Sequence, residues 1–389
     1  MNFPLNKFAE LSTPFYYYDL DLLKQTISSL KKASDKYGYV VHYAMKANAN
    51  DKVLSVINES GLGADCVSGN EVKKAVEIGF KPDHIAFAGV GKSDKEIITA
   101  INANIFCFNC ESLQEIAVIH EHAVRLGKKV NIALRINPNV DAHTHHYITT
   151  GLEENKFGIS TLELDNVYKS IRDLSNINLV GIHFHIGSQI MDMSVFKSLC
   201  IKVNELQQWF NAHNVDLQHI NVGGGLGVDY HDPDKNPMPD FEAYFNVFHQ
   251  FLKLYPNQTL HFEIGRAIVA QCGSLISRVL FIKKGINTNF AILDAGMTEL
   301  IRPALYQSYH KIENISQLET GNSKLGTQKY DVVGPICESS DCFGKAIVLP
   351  ETRRGDLIVL RTAGAYGEVM ASQYNLRDKV VSFYSTDSK

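Results

Sequence analysis

Residues 40–48 read V-V-H-Y-A-M-K-A-N, a β-branched and aromatic run with a lysine near its C-terminal end. This composition is typical of a buried strand. A charged side chain at the end of such a strand is costly unless it has a partner or a chemical task. Lys46 could extend its amine to solvent. It could instead form a Schiff base with an aldehyde cofactor, because desolvation lowers the pKa of a lysine.

Seven further strand-like segments follow, and segments of helical periodicity lie between them. The strands are predicted at residues 63–68, 84–90, 105–110, 130–137, 179–187, 219–224 and 260–265. The clearest helices are predicted at 20–37, 112–126, 195–210 and 241–254. Alternation of strands and helices implies an α/β protein with parallel pairing. Eight such units close most economically as a TIM-like (β/α)8 barrel, with a doubly wound open sheet as the alternative.

The alternation stops near Arg266. Strand-like runs without regular helices follow at residues 274–283, 290–293, 330–333, 356–360 and 379–383. We therefore expect a barrel over residues 21–270 and a C-terminal β-sandwich or β-barrel domain over residues 271–389. The N-terminal run T-P-F-Y-Y-Y-D, within residues 1–20, is expected to add a strand to that domain. The polar stretch at residues 310–329 is expected to be a surface loop.

The bulk composition argues against several classes of protein. The chain has 389 residues, 45% of them hydrophobic and 21% charged, with a formal net charge of −4. This balance argues against a general nucleic-acid binder and gives no reason to expect a membrane partner. No apolar run approaches the length of a membrane span, and the first residues do not resemble a signal peptide. The seven scattered cysteines suggest free thiols, so a cytoplasmic location is expected.

The candidate reactive groups lie at the predicted C-terminal ends of the barrel strands, where such barrels place their active sites. They are Lys46, His185 and Ser188 in H-F-H-I-G-S-Q, Gly224 and Gly225 in V-G-G-G-L-G, and Glu263 and Arg266 in E-I-G-R. Glycine-rich backbone, a hydroxyl and an arginine suit a phosphate. A histidine ring can stack on a flat heteroaromatic ring, and a carboxylate can keep a pyridine nitrogen protonated. Together with a Schiff-base lysine, these groups indicate pyridoxal 5'-phosphate.

Long motifs spread over the whole chain carry a resemblance to a known family. They include Y-A-M-K-A-N, D-A-H-T-H-H-Y-I-T-T-G-L-E-E-N-K-F-G-I, H-F-H-I-G-S-Q, G-G-G-L-G, E-I-G-R, R-P-A-L-Y, G-P-I-C-E-S-S-D and G-A-Y-G-E-V-M-A-S-Q-Y-N. By these motifs the chain resembles the diaminopimelate decarboxylase family, one of the alanine-racemase-like (fold type III) pyridoxal-phosphate enzymes. One departure is Ile264, where the family usually has proline.

The resemblance implies roles for individual residues in cofactor binding. Lys46 would hold the cofactor, His185 would stack on its ring, and Glu263 would lie at the pyridine nitrogen. The phosphate and ring would also be served by Ser188, Gly224, Gly225, Ile264, Gly265, Arg266 and Tyr366.

The resemblance also implies how the substrate is held. Arg302 and Tyr306 of R-P-A-L-Y, with Arg266, would bind its distal carboxylate, and Tyr366 would also contact the substrate. Glu338 would meet the distal amino group, and Cys337 would act as the proton donor. In this family the last two residues come from the partner subunit, so a homodimer is implied.

The implied reaction is decarboxylation of meso-2,6-diaminoheptanedioate to L-lysine and CO2, the last step of lysine biosynthesis. A related decarboxylase for carboxynorspermidine or ornithine is disfavoured, because a substrate without a distal carboxylate gives Arg302 nothing to hold. A racemase is disfavoured by Glu263, since racemases of this fold have an arginine, and not a carboxylate, at the pyridine nitrogen. A catalytically silent homologue that regulates a partner is disfavoured because Lys46, Glu263 and Cys337 are all present.

Three weaker signals indicate other sites, and each has a simpler explanation. The run A-F-A-G-V-G-K-S ends like a phosphate-binding loop, but Ala86 stands where its first glycine would be. Cys107 and Cys110 have the spacing of a metal or redox pair, yet they fall within a predicted strand and are expected to pack there. The histidines of D-A-H-T-H-H-Y are expected in a loop near the site, and no metal is expected.

Overall fold

The computed structural model describes residues 3–140, 156–319 and 326–388. The chain forms two compact units. One consists of Ile27–Gly227 and Asp240–Gly265, and the other of Met1–Thr26, Val228–Pro239 and Arg266–Lys389. We call them the barrel unit and the β unit.

The described residues form sixteen strands and twelve α-helices. The strands are β1 (Phe15–Tyr18), β2 (Val40–Ala44), β3 (Gly63–Cys66), β4 (Ile85–Phe87), β5 (Cys107–Cys110), β6 (Val130–Arg135), β7 (Ile177–His183), β8 (His219–Asn221), β9 (Thr259–Ile264), β10 (Gly273–Lys284), β11 (Asn289–Leu293), β12 (Ile312–Asn314), β13 (Thr327–Val333), β14 (Cys342–Pro350), β15 (Leu357–Leu360) and β16 (Val381–Tyr384). The helices are α1 (Leu5–Glu10), α2 (Leu20–Asp35), α3 (Asp51–Glu59), α4 (Gly69–Ile78), α5 (Asp94–Ala103), α6 (Leu113–Arg125), α7 (Leu164–Ile171), α8 (Met193–Ala212), α9 (Phe241–Phe251), α10 (Arg266–Val269), α11 (Arg302–Tyr306) and α12 (Ile315–Glu319).

Strands β2 to β9 form a closed parallel barrel in chain order, and β9 closes it by pairing with β2. The prediction of a (β/α)8 barrel is therefore confirmed, and the doubly wound alternative is excluded. Helices α3 to α9 lie between these strands in the sequence. Serine N-caps begin two of them, since Ser68 accepts a hydrogen bond from the Glu71 N–H and Ser112 accepts one from the Glu115 N–H. A cap of this kind stabilises a helix by about 1 kcal/mol.

Hydrogen-bonded polar side chains occupy part of the barrel interior. The Nδ2 of Asn109 on β5 donates to Glu263 on β9, and because those strands are not neighbours, the bond crosses the interior. A second group contains three histidines. His42 Nε2 lies 3.0 Å from His261 Nδ1, and His261 Nε2 lies 2.9 Å from His219 Nδ1. Hydrogen bonds between polar side chains therefore add to apolar packing in this interior.

In the β unit, the sheet runs β12-β15-β10-β11-β13-β14, and β1 joins it. Strand β1 pairs antiparallel with β10 and parallel with β16. Phe15 and Tyr17 of β1 pack with Phe8, Ile276 and Val359 in a buried apolar cluster. The predictions of a C-terminal β domain and of an added N-terminal strand are confirmed.

Two local predictions were wrong, and one strand was missed. Residues 312–319 are not loop, because they form β12 and α12. The strand was not recognised because it contains the polar residue Asn314. That side chain is buried and donates to Asp356 Oδ2 at 2.8 Å. Strand β14 was not predicted. Lys46 does not lie on a strand, since β2 ends at Ala44 and a 3-10 turn over Met45–Ala47 follows.

No helix in the described ranges is long and apolar enough to span a membrane.

Candidate active site

The turn that carries Lys46 is packed against the end of β9. Gly265 follows β9, and a Cβ on it would lie 2.9 Å from the Cβ of Ala47 and 3.1 Å from that of Ala44. Glycine is therefore the residue that lets the two chain segments approach this closely. The hydroxyl of Tyr43 donates to the carbonyl of Asn48 at 2.9 Å, which closes the turn on its other side.

Asp65 on β3 is the hydrogen-bonded ion-pair partner of Lys46. The Lys46 Nζ lies 2.8 Å from Asp65 Oδ2; the carboxylate is fully buried, while the lysine side chain is 34% exposed. Burial and then the negative charge of Glu263 raise the pKa of Asp65, against the lowering effect of Lys46. Asp65 Oδ1 is buried and accepts no hydrogen bond from any described residue. Asp65 was not predicted as a site residue, although a carboxylate inside the predicted strand G-A-D-C was a usable signal.

Glu263 lies at the centre of a buried hydrogen-bond group. Its Oε1 accepts from Asn109 Nδ2 at 2.9 Å and from Asn221 Nδ2 at 2.8 Å, and its Oε2 lies 2.9 Å from His183 Nε2. Burial acts to raise the pKa of Glu263, but His183 and then Lys46 outweigh it and hold this pKa well below its usual range. Glu263 is therefore ionised. A carboxylate has about four acceptor positions, and the described residues occupy three.

His185 and Ser188 follow β7 in a loop that is bonded to the glycine-rich loop after β8. The Ile190 N–H donates to the Gly225 carbonyl at 2.8 Å, and the Gly224 N–H points at His185 Nδ1 at 3.5 Å. Burial, followed by the charges of Arg135 and Lys46, lowers the pKa of His185 well below its usual value. The imidazole is therefore neutral at pH 7.

Close backbone packing requires the glycines of this loop. A Cβ on Gly224 would lie 2.0 Å from the carbonyl oxygen of Glu263, which is far inside a normal contact. Gly225 has φ +103°, a conformation that side chains rarely adopt. The structure thus brings Lys46, His185, Gly224 and Glu263 to the C-terminal ends of the barrel strands, as expected from the fold.

In the β unit, Arg266 and Arg302 share one acceptor. The Nη1 atoms of both arginines donate to the hydroxyl of Tyr230, at 2.6 Å and 2.7 Å respectively. The guanidinium of Arg266 also lies over the ring of Tyr366, with 4.9 Å to its centroid. Tyr306 is partly buried at the end of α11, which Arg302 begins. Tyr230 was not predicted from the sequence as a site residue.

Cys337 and Glu338 lie in an exposed turn of the β unit. Glu338 Oε1 accepts from the hydroxyl of Tyr374 at 2.8 Å, and the Cys337 N–H donates to Asn375 Oδ1 at 3.2 Å. None of the hydrogen bonds described for this turn reaches Arg302, Tyr306 or Tyr366. The structure of the single chain therefore does not join these two residues to the arginines.

The carboxylate of Asp341 holds the turn that contains Cys337 and Glu338. Asp341 is buried, and its carboxylate accepts the N–H of Ile336 at 2.7 Å and the N–H of Met297 at 2.6 Å. One side chain thus connects the turn of Cys337 to the segment that leads to Arg302.

The weaker signals are placed as follows. Cys107 and Cys110 are buried free thiols on β5. Lys92, of the loop-like A-F-A-G-V-G-K-S run, pairs with Glu115 at 2.5 Å. The histidines of D-A-H-T-H-H-Y, His143, His145 and His146, lie outside the described residues.

Comparison with known proteins agrees with this geometry. A family model for the pyridoxal binding domain of pyridoxal-dependent decarboxylases matches residues 21–270. A diaminopimelate decarboxylase of Bacteroides thetaiotaomicron is 58% identical over 97% of this chain and 96% of its own length. The chain belongs to the diaminopimelate decarboxylase family. In the same family, the crystal structure of the Helicobacter pylori enzyme complexed with L-lysine has a TM-score of 0.91 and 40% identity, and the match covers 98% of this chain and 94% of that one.

Membership of the diaminopimelate decarboxylase family confirms three predictions made from the sequence. The chain is an enzyme of the decarboxylase class, its cofactor is pyridoxal phosphate, and its fold is that of the family.

Proposed function

We propose that this protein removes CO2 from meso-2,6-diaminoheptanedioate to give L-lysine, in the cytoplasm, as the last step of lysine biosynthesis. One observation of the structure supports this substrate above the alternatives. Arg302 is only 5% exposed, and the hydrogen bonds described for its guanidinium go to the hydroxyls of Tyr230 and Ser308 rather than to a carboxylate. A buried cation without an anion is costly, so Arg302 favours a substrate that brings a second carboxylate.

The barrel unit has the groups that pyridoxal phosphate needs. When bound, the cofactor supplies an aldehyde that reacts with amines and a pyridinium ring that accepts the electrons released as CO2 departs. Lys46 provides the amine, and Asp65 holds it in place. Glu263, with one acceptor position remaining, would accept the N–H of the ring nitrogen and keep that nitrogen protonated. The Oδ1 of Asp65 supports the same assignment, since it is buried without a hydrogen-bond donor among the described residues and suits a polar group brought by a ligand.

The remaining cofactor roles follow from the chemistry of each group. The neutral ring of His185 would stack on the pyridine ring without adding charge. Ser188, Gly224, Gly225, Ile264 and Gly265 supply a hydroxyl and backbone N–H groups to the phosphate and ring. From the β unit, Arg266 and Tyr366 contribute a cation and a phenol.

The substrate roles belong to side chains of the β unit. Arg302 and Tyr306, with Arg266, bind the distal carboxylate, and Tyr366 also contacts the substrate. Glu338 binds the distal ammonium group. Cys337 returns a proton to the carbon that loses CO2.

Cys337 and Glu338 act in the site of the partner subunit, so we propose that the enzyme is a homodimer. Their exposure on the single chain supports this assignment. Mixing Lys46→Ala with Cys337→Ala protein tests it, because a mixed dimer regains one intact site. We expect about a quarter of wild-type activity after equal mixing and random assortment. Activity that stays at the level of the separate variants would contradict the shared site.

We also propose the domain division at residues 21–270 and 1–20 with 271–389.

The substrate assignment is tested by CO2 release from meso-diaminopimelate, L-ornithine, L-lysine and carboxynorspermidine. We expect release from diaminopimelate, and we expect Arg302→Met to raise its KM by about tenfold to a hundredfold. Arg354→Met, at an exposed arginine of the same unit, is the control and should behave as wild type. Release chiefly from a substrate without a distal carboxylate, or an unchanged KM in the Arg302 variant, would overturn the assignment.

A further inference from the structure

Tyr230 occupies an unusual position between two cations. Its hydroxyl oxygen takes one hydrogen bond from Arg266 and one from Arg302. A guanidinium has donors only, so the phenolic oxygen is the acceptor in both bonds. The residue follows the glycine-rich loop, 36 residues from Arg266 and 72 residues from Arg302 in the sequence.

The surroundings of Tyr230 are buried and positively charged. Tyr230, Arg266 and Arg302 are 8%, 7% and 5% exposed. Burial acts to raise the pKa of Tyr230, but the charges of Arg266 and Arg302 outweigh it and lower this pKa. The adjacent ring of His310, 5.3 Å away between centroids, contributes no negative charge. Such a cluster is complementary to an anion.

The hydroxyl hydrogen of Tyr230 is available for a further hydrogen bond. Both of the oxygen's lone pairs are used by the arginines, and no described residue accepts a hydrogen bond from this hydroxyl. A buried donor is costly when it is left unpaired. A ligand carboxylate near Arg302 would accept this hydrogen and offset one of the two positive charges of the cluster.

We propose that Tyr230 is a specificity-determining residue, which aligns Arg266 with Arg302 and donates its O–H to the distal carboxylate of the substrate. The proposal rests on the proposed function, since it assumes an amino-acid substrate with a distal carboxylate. It assigns to this chain one more donor for that carboxylate, in addition to Arg266, Arg302 and Tyr306.

The variant Tyr230→Phe tests the role of the phenolic hydroxyl alone. The variant keeps the ring contacts with His310 and Arg302 and removes the hydroxyl. We expect the KM for meso-diaminopimelate to rise by about tenfold or more, while kcat changes much less, because the lost contact involves a non-reacting part of the substrate. The absorbance of the bound cofactor should be unchanged.

Two inhibitors separate recognition of the carboxylate from general damage to the site. L-Lysine keeps the distal carboxylate, and 1,5-diaminopentane lacks it. Tyr230→Phe should weaken inhibition by L-lysine by about tenfold and leave inhibition by 1,5-diaminopentane unchanged. Tyr244→Phe is the matched control, because Tyr244 is also buried and its hydroxyl has no hydrogen-bond partner among the described residues.

The outcomes distinguish the two proposals. Wild-type protein that releases no CO2 from diaminopimelate overturns the proposed function. An active wild type whose Tyr230→Phe variant keeps its KM and L-lysine inhibition, or loses both inhibitors equally, overturns only the role of Tyr230. If Tyr230→Phe does not fold, Tyr230→Gln and Tyr230→Leu are compared. Glutamine retains an acceptor and a donor, so L-lysine must inhibit that variant more strongly, and equal inhibition refutes the role.

Discussion

The amine of Lys46 lies 2.8 Å from the buried carboxylate of Asp65 on the neighbouring strand. The lysine is thus held at the end of β2 by a partner that cannot move away, because β3 is fixed within the closed barrel. This pair explains how a charged residue is tolerated in the turn after a buried strand. It also gives the amine a defined direction, which a reactive lysine requires.

Asp65→Asn tests the importance of that pair. The amide keeps the size of the side chain and removes its charge, so the lysine amine loses its ion-pair partner. We expect kcat to fall by about tenfold or more while the protein stays folded. Steady-state kinetics and circular dichroism measure the two effects. Asp83→Asn, at an exposed aspartate, is the control, and an equal kcat in both variants would refute the importance of Asp65.

Glu263→Gln removes the buried negative charge and keeps the shape of the side chain. A neutral amide cannot keep a pyridine nitrogen protonated, so the ring accepts electrons less well. We expect kcat to fall by about a hundredfold or more, with a smaller change in KM. Glu242→Gln, at a side chain that is 57% exposed, should retain full activity. A Glu263→Gln enzyme with wild-type kcat would show that this carboxylate does not act on the cofactor.

Asp341→Ala should destabilise the β unit. The change leaves the N–H groups of Ile336 and Met297 without their acceptor in a buried place. We expect the free energy of unfolding to fall by about 2–4 kcal/mol. Urea unfolding measures it, with the exposed Asp378→Ala as the control. If the two variants unfold at the same urea concentration, the carboxylate of Asp341 does not stabilise the turn of Cys337.

Because His310 is buried, we expect the folded protein to lose stability in acid. Burial, followed by the charge of Arg302, lowers the pKa of His310 to about 3, whereas an unfolded histidine titrates near 6.5. Below about pH 6.5 the unfolded chain therefore binds a proton that the folded chain excludes, and the free energy of unfolding decreases as the pH falls towards 3.

The variant His310→Asn removes this titration and keeps a donor for the carbonyl of Arg361. Between pH 7.5 and pH 5, wild type should lose about 2 kcal/mol more than the variant. His84→Asn, at an exposed histidine, should follow wild type. Parallel pH profiles for wild type and His310→Asn would contradict the assignment.

The barrel and the position of Lys46 could be predicted because both depend on local patterns. β-Branched runs separated by helical segments specify parallel strands, and the reactive ends of those strands then follow from the fold. The partners of these residues could not be predicted in the same way. Asn109 and Glu263 lie 154 positions apart in the sequence, and only barrel closure brings them together.

The partners of buried polar residues were the hardest feature to predict. Asn109, His183 and Asn221 look like solvent-facing positions of a strand, although they point into the barrel and bond to Glu263. Asn314 made β12 resemble a loop for the same reason. Tyr230 was missed because nothing in the loop around it indicates that two distant arginines converge on its oxygen.

The most direct test of the account is to locate the cofactor on the chain. Borohydride reduces the carbon–nitrogen double bond between a lysine and pyridoxal phosphate, and peptide mass spectrometry then identifies the modified residue. We expect the label on Lys46 in wild-type protein and in the Tyr244→Phe control, and no stoichiometric label in Lys46→Ala. A label on another lysine, or full labelling of the Lys46→Ala protein, would contradict the central assignment.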